Sequence, residues 1–220
     1  MAYVEFIEKV HRSTKRDYLS RALSGEKAKF ATAAKKFEFD YWDGSRDTGY
    51  GGYHYDGRWF EVARRMAEHY GLKAGDRILD VGCGKGFLLY EFTRAVPGIE
   101  IEGLDISKYA VANSKPEVRS KLTLGSATSL PYPDGNFDLV VSLNTLHNLQ
   151  LPELEQAFRE IQRVGRRSRY VLMDSYRTEE EKVNLLNWQL TCECFFTPSE
   201  WEWIFKKAGY TGDYECIFFE

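Results

Sequence analysis

Ile78-Leu79-Asp80-Val81-Gly82-Cys83-Gly84-Lys85-Gly86-Phe87 decides the fold. An apolar run carrying one acid ends in glycines at alternate positions, and the helical pattern of Leu88, Leu89 and Phe92 follows at once. That order reads as strand, tight turn and helix start, with glycine letting the backbone come close to a ligand. Several nucleotide classes use such a turn. A P-loop needs four residues between its glycines and then Lys-Ser/Thr, whereas Lys85 is followed by Gly86 and Phe87. A dinucleotide fingerprint needs its last glycine for close helix–strand packing, and Phe87 stands at that position. What remains is an acid followed by G-x-G-x-G.

With Asp80, Gly82, Cys83, Gly84 and Gly86 in this order, the chain resembles the class I S-adenosylmethionine-dependent methyltransferases of small-molecule type, whose first motif has the form D-V-G-C-G-x-G. A second signal agrees. Ile99-Glu100-Ile101-Glu102-Gly103-Leu104-Asp105 reads as a strand ending in an acid, 19 residues beyond Gly86. A carboxylate there can accept both ribose hydroxyls. Ser107 is the better helix cap, which frees Asp105 for that ligand. A third signal is Gly125-Ser126-Ala127 followed by Leu130-Pro131-Tyr132-Pro133-Asp134-Gly135-Asn136-Phe137-Asp138, which is similar to the family's G-D-A…L-P-F-P-D-x-x-F-D segment. The departure is Ser126, where the family usually has Asp.

The resemblance covers roughly residues 72–175. It implies S-adenosylmethionine as cofactor, with Asp105 and Ile106 at the ribose and adenine, Ser126 and Ala127 at the adenine, and Ser142 and Leu143 at the mouth of the fourth strand.

The wider pattern predicts an α/β, Rossmann-like doubly wound fold with a mostly parallel sheet and helices on both faces. Helices are expected at 2–22, 27–37, 58–70, 86–95, 107–113, 152–164, 178–190 and 198–208, and strands at 76–81, 99–105, 121–125, 137–143, 168–174 and 214–219. Residues 1–57 read as an N-terminal helical extension with an aromatic lid loop, and 58–220 as the core. Members of the family usually close with a strand hairpin, but only one strand's worth of chain follows the last helix here. Its apolar edge needs covering, either by the N-terminal extension or by a partner, so a homodimer is one expectation.

Composition narrows the function classes. The 220 residues carry a net charge of −3, and the densest basic run is Arg166-Arg167-Ser168-Arg169, read as a solvated helix end. Lys9, Arg12, Lys15, Arg16 and Arg21 are diluted by Glu5, Glu8 and Asp17, so no nucleic-acid partner is expected. No apolar run approaches the roughly 18 residues of a membrane span, and the charged opening segment is unlike a secretory signal. Cys83, Cys192, Cys194 and Cys216 lack zinc spacing and read as free thiols, so a cytoplasmic location is expected.

Candidate substrate residues lie outside the core motifs. Thr48-Gly49-Tyr50-Gly51-Gly52-Tyr53-His54-Tyr55-Asp56-Gly57-Arg58-Trp59 combines flexible glycines with rigid aromatic walls, as a lid over the cofactor would, or as a loop packed by its aromatics. Tyr50 or Arg58 is placed at the methionine carboxylate, Arg because its fork binds both oxygens. Tyr53, Tyr55, Tyr176 and Trp188 are expected at the methyl acceptor. After the fourth strand, Asn144 and His147 face the transferred methyl group. His147, and with similar standing His54, is read either as a general base or as a packing histidine. No acidic triad suggests magnesium, so metal-independent in-line transfer to an O or N atom of a small molecule is expected. A non-catalytic S-adenosylmethionine sensor or supporting subunit is the alternative.

Overall fold

The computed structural model describes residues 1–12 and 16–220. Among these, six strands form one sheet: β1 (Arg77–Val81), β2 (Glu100–Asp105), β3 (Leu122–Leu124), β4 (Phe137–Leu143), β5 (Gly165–Asp174) and β6 (Asp213–Ile217). Their order is β3-β2-β1-β4-β5-β6, and every pairing is parallel. Parallel strands covered on both faces need apolar residues at successive positions. In β4, Leu139 and Val141 point to one side and Val140 to the other; in β5, Tyr170 and Leu172 oppose Val171 and Met173.

On one face α8 (Leu151–Val164) and α10 (Pro198–Ala208) bury Leu154, Phe158, Ile161, Trp201 and Phe205. On the other, α5 (Phe60–His69), α6 (Phe87–Ala95) and α9 (Glu179–Trp188) contribute Val62, Met66, Leu89, Phe92 and Leu185. The short α7 (Lys108–Ala112) follows β2, capped by the Ser107 side chain, which accepts from the Ala110 N–H.

The single closing strand sits parallel beside β5. Its outer edge is covered by the chain itself, one of the two coverings the sequence leaves open. Tyr3 pairs with Tyr214, the Val4 N–H donates to the Tyr214 carbonyl at 3.0 Å, and the Tyr214 N–H donates to the Ala2 carbonyl at 3.0 Å. The homodimer's motive, an uncovered β6 edge, is therefore removed at Tyr214.

The N-terminal segment departs from the expected helix over 2–22. Residues 2–4 are extended, and the helical pieces are α1 (Glu8–Arg12) and α2 (Ser20–Leu23); the part of that expectation on 13–15 lies outside the described residues. The cause is tertiary. The Glu215 carboxylate of β6 accepts the N–H groups of Phe6 (2.6 Å) and Ile7 (3.1 Å) and the Tyr170 hydroxyl, and Phe6 and Ile7 are buried in the core. The helix expected over 27–37 ends earlier, as α3 (Lys27–Ala34), with Phe37 in the left-handed region at φ 52°, and a short α4 (Phe39–Trp42) lies in the stretch expected as loop.

The basic run at 166–169 is a correction of another kind. It lies inside β5 rather than at a helix end, with Arg166 on Asp138 (2.7 Å) and Arg167 on Asp76 (3.0 Å). Burial pushes the Asp138 carboxyl up, but the Arg166 pair and the Arg77 N–H outweigh it and hold it low.

Candidate functional site

The glycine turn between β1 and α6 has Gly82, Gly84 and Gly86 at φ 82°, 54° and 74°, a backbone that L side chains rarely adopt. Its N–H groups are used internally. Gly82 and Cys83 donate to the Leu104 carbonyl (2.7 and 3.2 Å), Gly84 to Asp105 Oδ2 (2.6 Å) and Gly86 to the Cys83 carbonyl (2.9 Å). Phosphate cradles instead aim such donors at the ligand.

Asp105, at the end of β2, is 5% exposed; its Oδ1 accepts the Ser107 N–H at 2.8 Å. Each oxygen thus keeps a further lone pair. Ile106 beside it is 60% exposed, an apolar face next to the carboxylate. Asp80 is buried beside Asp105, and burial first, then the neighbouring charge, pushes its carboxyl up to about 8.

Other expected cofactor residues turn inward. Cys83 is buried with its Sγ beneath Gly103, so only its backbone reaches the turn's surface. Ser142 Oγ donates to the Val81 carbonyl at 2.7 Å, and Leu143 is half-buried beside it. Ser126 Oγ is engaged with Thr128 at 2.8 Å, and Ala127 packs against the core.

The aromatic segment lies against this turn. The Trp42 ring touches Gly84 closely enough that a Cβ there would stand 2.8 Å from it. Its indole N–H donates to Ser107 Oγ at 2.9 Å, and Ser107 Oγ also donates to the Phe37 carbonyl. Tyr50 stacks on Trp42 with centroids 5.5 Å apart, and Tyr53 on Phe87 at 4.9 Å. A buried ion pair fastens the segment: Lys85 Nζ donates to Asp43 (2.6 Å) and to the Tyr53 carbonyl (3.0 Å), while the Tyr109 hydroxyl donates to Asp43 (2.9 Å). Trp42, Asp43, Lys85 and Tyr109 were not singled out in the sequence. The Lys–Asp pair spans 42 positions, so no local pattern announces it.

Next to the turn, at the C-terminal ends of β4 and β5, opens a cavity of about 440 Å³. It brings together Asn144, His147, His54, Tyr50, Tyr53, Arg58 and Trp188 of the expected residues, and adds Tyr41, Arg46, Asp174 and Gln189. Tyr55 and Tyr176 are outside its lining. The Tyr55 hydroxyl donates to Glu91 at 2.6 Å, over α6, and Tyr176 packs under Lys182. Arg58 is paired with Asp56 at 2.5 Å. His147 is 2% exposed; burial lowers its pKa against the opposing pull of Asp174. Asn144 has φ 53°, a conformation Asn tolerates better than most residues.

Residues 79–173 match the methyltransferase domain family, and over this stretch the chain is similar to proteins named as methyltransferases. Among similar curated proteins is the uncharacterized methyltransferase YcgJ of Bacillus subtilis, 32% identical over 60% of this chain and 52% of that one. Another is the 27-O-demethylrifamycin SV methyltransferase of Amycolatopsis mediterranei, 34% identical over 46% of this chain and 39% of that one. The chain spans about half the length, or less, of such relatives. The crystal structure of YcgJ shares the fold with a TM-score of 0.54 at 24% identity, covering 70% of this chain and 68% of that one. No helix among the described residues is long and apolar enough to cross a membrane.

Proposed function

We propose that this protein transfers a methyl group from S-adenosylmethionine to an O or N atom of a small-molecule acceptor by direct in-line displacement. The observation that carries the reading is Asp105, a carboxylate held by the glycine turn itself, beside a turn whose N–H groups are spent internally. Such a site suits a cofactor with a ribose and no phosphate. In this reading Asp105 takes the ribose hydroxyls and Ile106, Ser126 and Ala127 flank the adenine. The backbone of Gly82, Cys83, Gly84 and Gly86 passes beneath, over Ser142 and Leu143. Asp80 stands near the cationic methionine end, with Tyr50 and Arg58 toward its carboxylate.

The bound cofactor supplies an electrophilic methyl group; the chain's residues orient and desolvate. The aromatic wall of Tyr41, Tyr50, Tyr53 and Trp188 limits water and aligns the acceptor, and alignment alone can lower a barrier by several kcal/mol. The small-molecule assignment rests on this cavity and on the rifamycin-type relative. No nucleic-acid partner and a cytoplasmic setting complete the proposal.

Isothermal titration tests it. S-adenosylmethionine and S-adenosylhomocysteine should bind and NADH should not. Tight NADH binding without S-adenosylmethionine binding would overturn the reading.

A further inference from the structure

At the ends of β4 and β5, Asn144 and Asp174 line the same cavity. Asn144 Oδ1 is buried and has no hydrogen-bond partner among the described residues. Asp174 is 2% exposed and its backbone is clamped on both sides: its N–H donates to His147 Nδ1 at 3.2 Å, and its carbonyl accepts the Trp201 indole N–H at 3.0 Å. The Gln189 amide donates to Asp174 Oδ2, and His147 Nε2 stands 3.5 Å from the same oxygen. Both side-chain partners thus address Oδ2, which leaves Oδ1 for the cavity. His147 accepts on Nδ1, so its proton is on Nε2, facing Asp174. The histidine has no lone pair to offer a substrate and acts here as a positioning residue for the carboxylate.

We infer that Asp174 and Asn144 together seat a primary amine, so that the methyl acceptor is a small molecule bearing one; this rests on the methyltransferase reading above. The argument is a count of donors. A neutral primary amine has two N–H groups and one lone pair: one N–H for each acceptor, and the lone pair for the methyl carbon. A hydroxyl has a single O–H and leaves one buried acceptor unsatisfied, a penalty that sites built for a donor use to reject analogues lacking it. A secondary amine has the same shortfall, so the reaction stops after one methyl group. In the transfer, the nitrogen lone pair forms the new N–C bond while the C–S bond breaks and its electron pair stays on sulfur. The resulting methylated ammonium gives one proton to the Asp174 carboxylate, and from there to solvent. Tyr41, Tyr50 and Trp188 wall the space left for the rest of the acceptor.

The test uses a matched set, benzylamine, N-methylbenzylamine, benzyl alcohol and benzoate, titrated into the full chain saturated with S-adenosylhomocysteine. Transfer from S-adenosylmethionine is followed by mass spectrometry. Benzylamine should bind at least about tenfold tighter than the alcohol or the secondary amine, and give the monomethyl product. Asp174→Asn should weaken benzylamine about 100-fold while cofactor affinity stays within about twofold. Asn144→Gly, which keeps the left-handed backbone and removes the acceptor, should weaken it about tenfold and serves if the first variant fails to fold. Equal binding of amine and alcohol, or an Asp174→Asn loss that falls on the cofactor, overturns the amine seat. Transfer to hydroxyls alone would overturn it too while leaving the methyltransferase reading intact, whereas failure to bind S-adenosylmethionine would end both.

Discussion

The two ends of the site handle hydrogen bonds in opposite ways. At the glycine turn every donor named above has a partner inside the chain, Asp105 is held by two N–H groups, and Trp42 lies across Gly84. At the ends of β4 and β5, Asn144 Oδ1 has no partner and Asp174 turns one oxygen to an open cavity. In the proposed reading the first end is a preorganised seat for a cofactor of fixed shape. The second is a polar cluster with an unsatisfied buried acceptor, and on the inference above such an acceptor is a strong selector for whatever ligand completes it.

The largest effect should come from separating the two ends. On the proposed reading Asp105→Ala would remove two charge-assisted hydrogen bonds to ribose, and it should weaken S-adenosylmethionine by about 100-fold or more by titration calorimetry. The acceptor-side change Asp174→Asn should leave that affinity intact. If both variants weaken the cofactor alike, the division between the ends fails.

Next is the Trp42 contact. If the aromatic segment gates the turn, Trp42→Ala should raise association and dissociation rates together, about tenfold each in stopped-flow fluorescence, with little change in affinity. A change in affinity alone would make Trp42 part of the seat rather than its cover.

Asp80 offers a proton test of the cofactor end. A cation bound nearby draws its raised pKa down, so binding near pH 7 should release a fraction of a proton, read from the buffer dependence of the binding enthalpy, and Asp80→Asn should abolish it. The stability sign is equally specific. A carboxyl raised by folding contributes fully below its ordinary range near pH 4 and loses that contribution as pH rises through about 8. The melting temperature of Asp80→Asn should therefore gain on the wild type between pH 5 and pH 9.

His147 gives the smallest and opposite effect. Burial depresses its pKa, so its neutral form supports the fold above the ordinary histidine value and that support is lost on acidification. Between pH 7 and pH 5 the wild type should lose a few degrees of Tm relative to His147→Gln. A parallel pH profile for the two proteins would mean that His147 is not held neutral beside Asp174.

Much of this was legible in the sequence. The β1 run, the alternate glycines, Asp105 and the Ser107 cap are local patterns, and all appear at the expected positions. The β4–α8 stretch was equally plain, because a doubly covered strand must be apolar throughout and an amphipathic helix must repeat its apolar face. Asn144 and His147 follow β4, His54 lies in the loop before α5 and Trp188 ends α9, and all four share one cavity. Tyr55 and Tyr176 looked equivalent in composition, yet their side chains are claimed by Glu91 and by the Lys182 contact.

The sequence by itself determined the cofactor end, because the constraints there are short-range: a turn needing φ above zero, a strand ending in a carboxylate, a helix needing a cap. The tertiary structure alone decided what lies against it. The Lys85–Asp43 pair that fastens Trp42 over Gly84, the Glu215 carboxylate that holds residues 6 and 7 out of a helix, and the partnership of His147 with Asp174 join residues 27 to 209 positions apart. Hydrogen bonds between buried groups depend on where packing brings two segments together. A linear pattern carries the propensity of each segment but not that meeting.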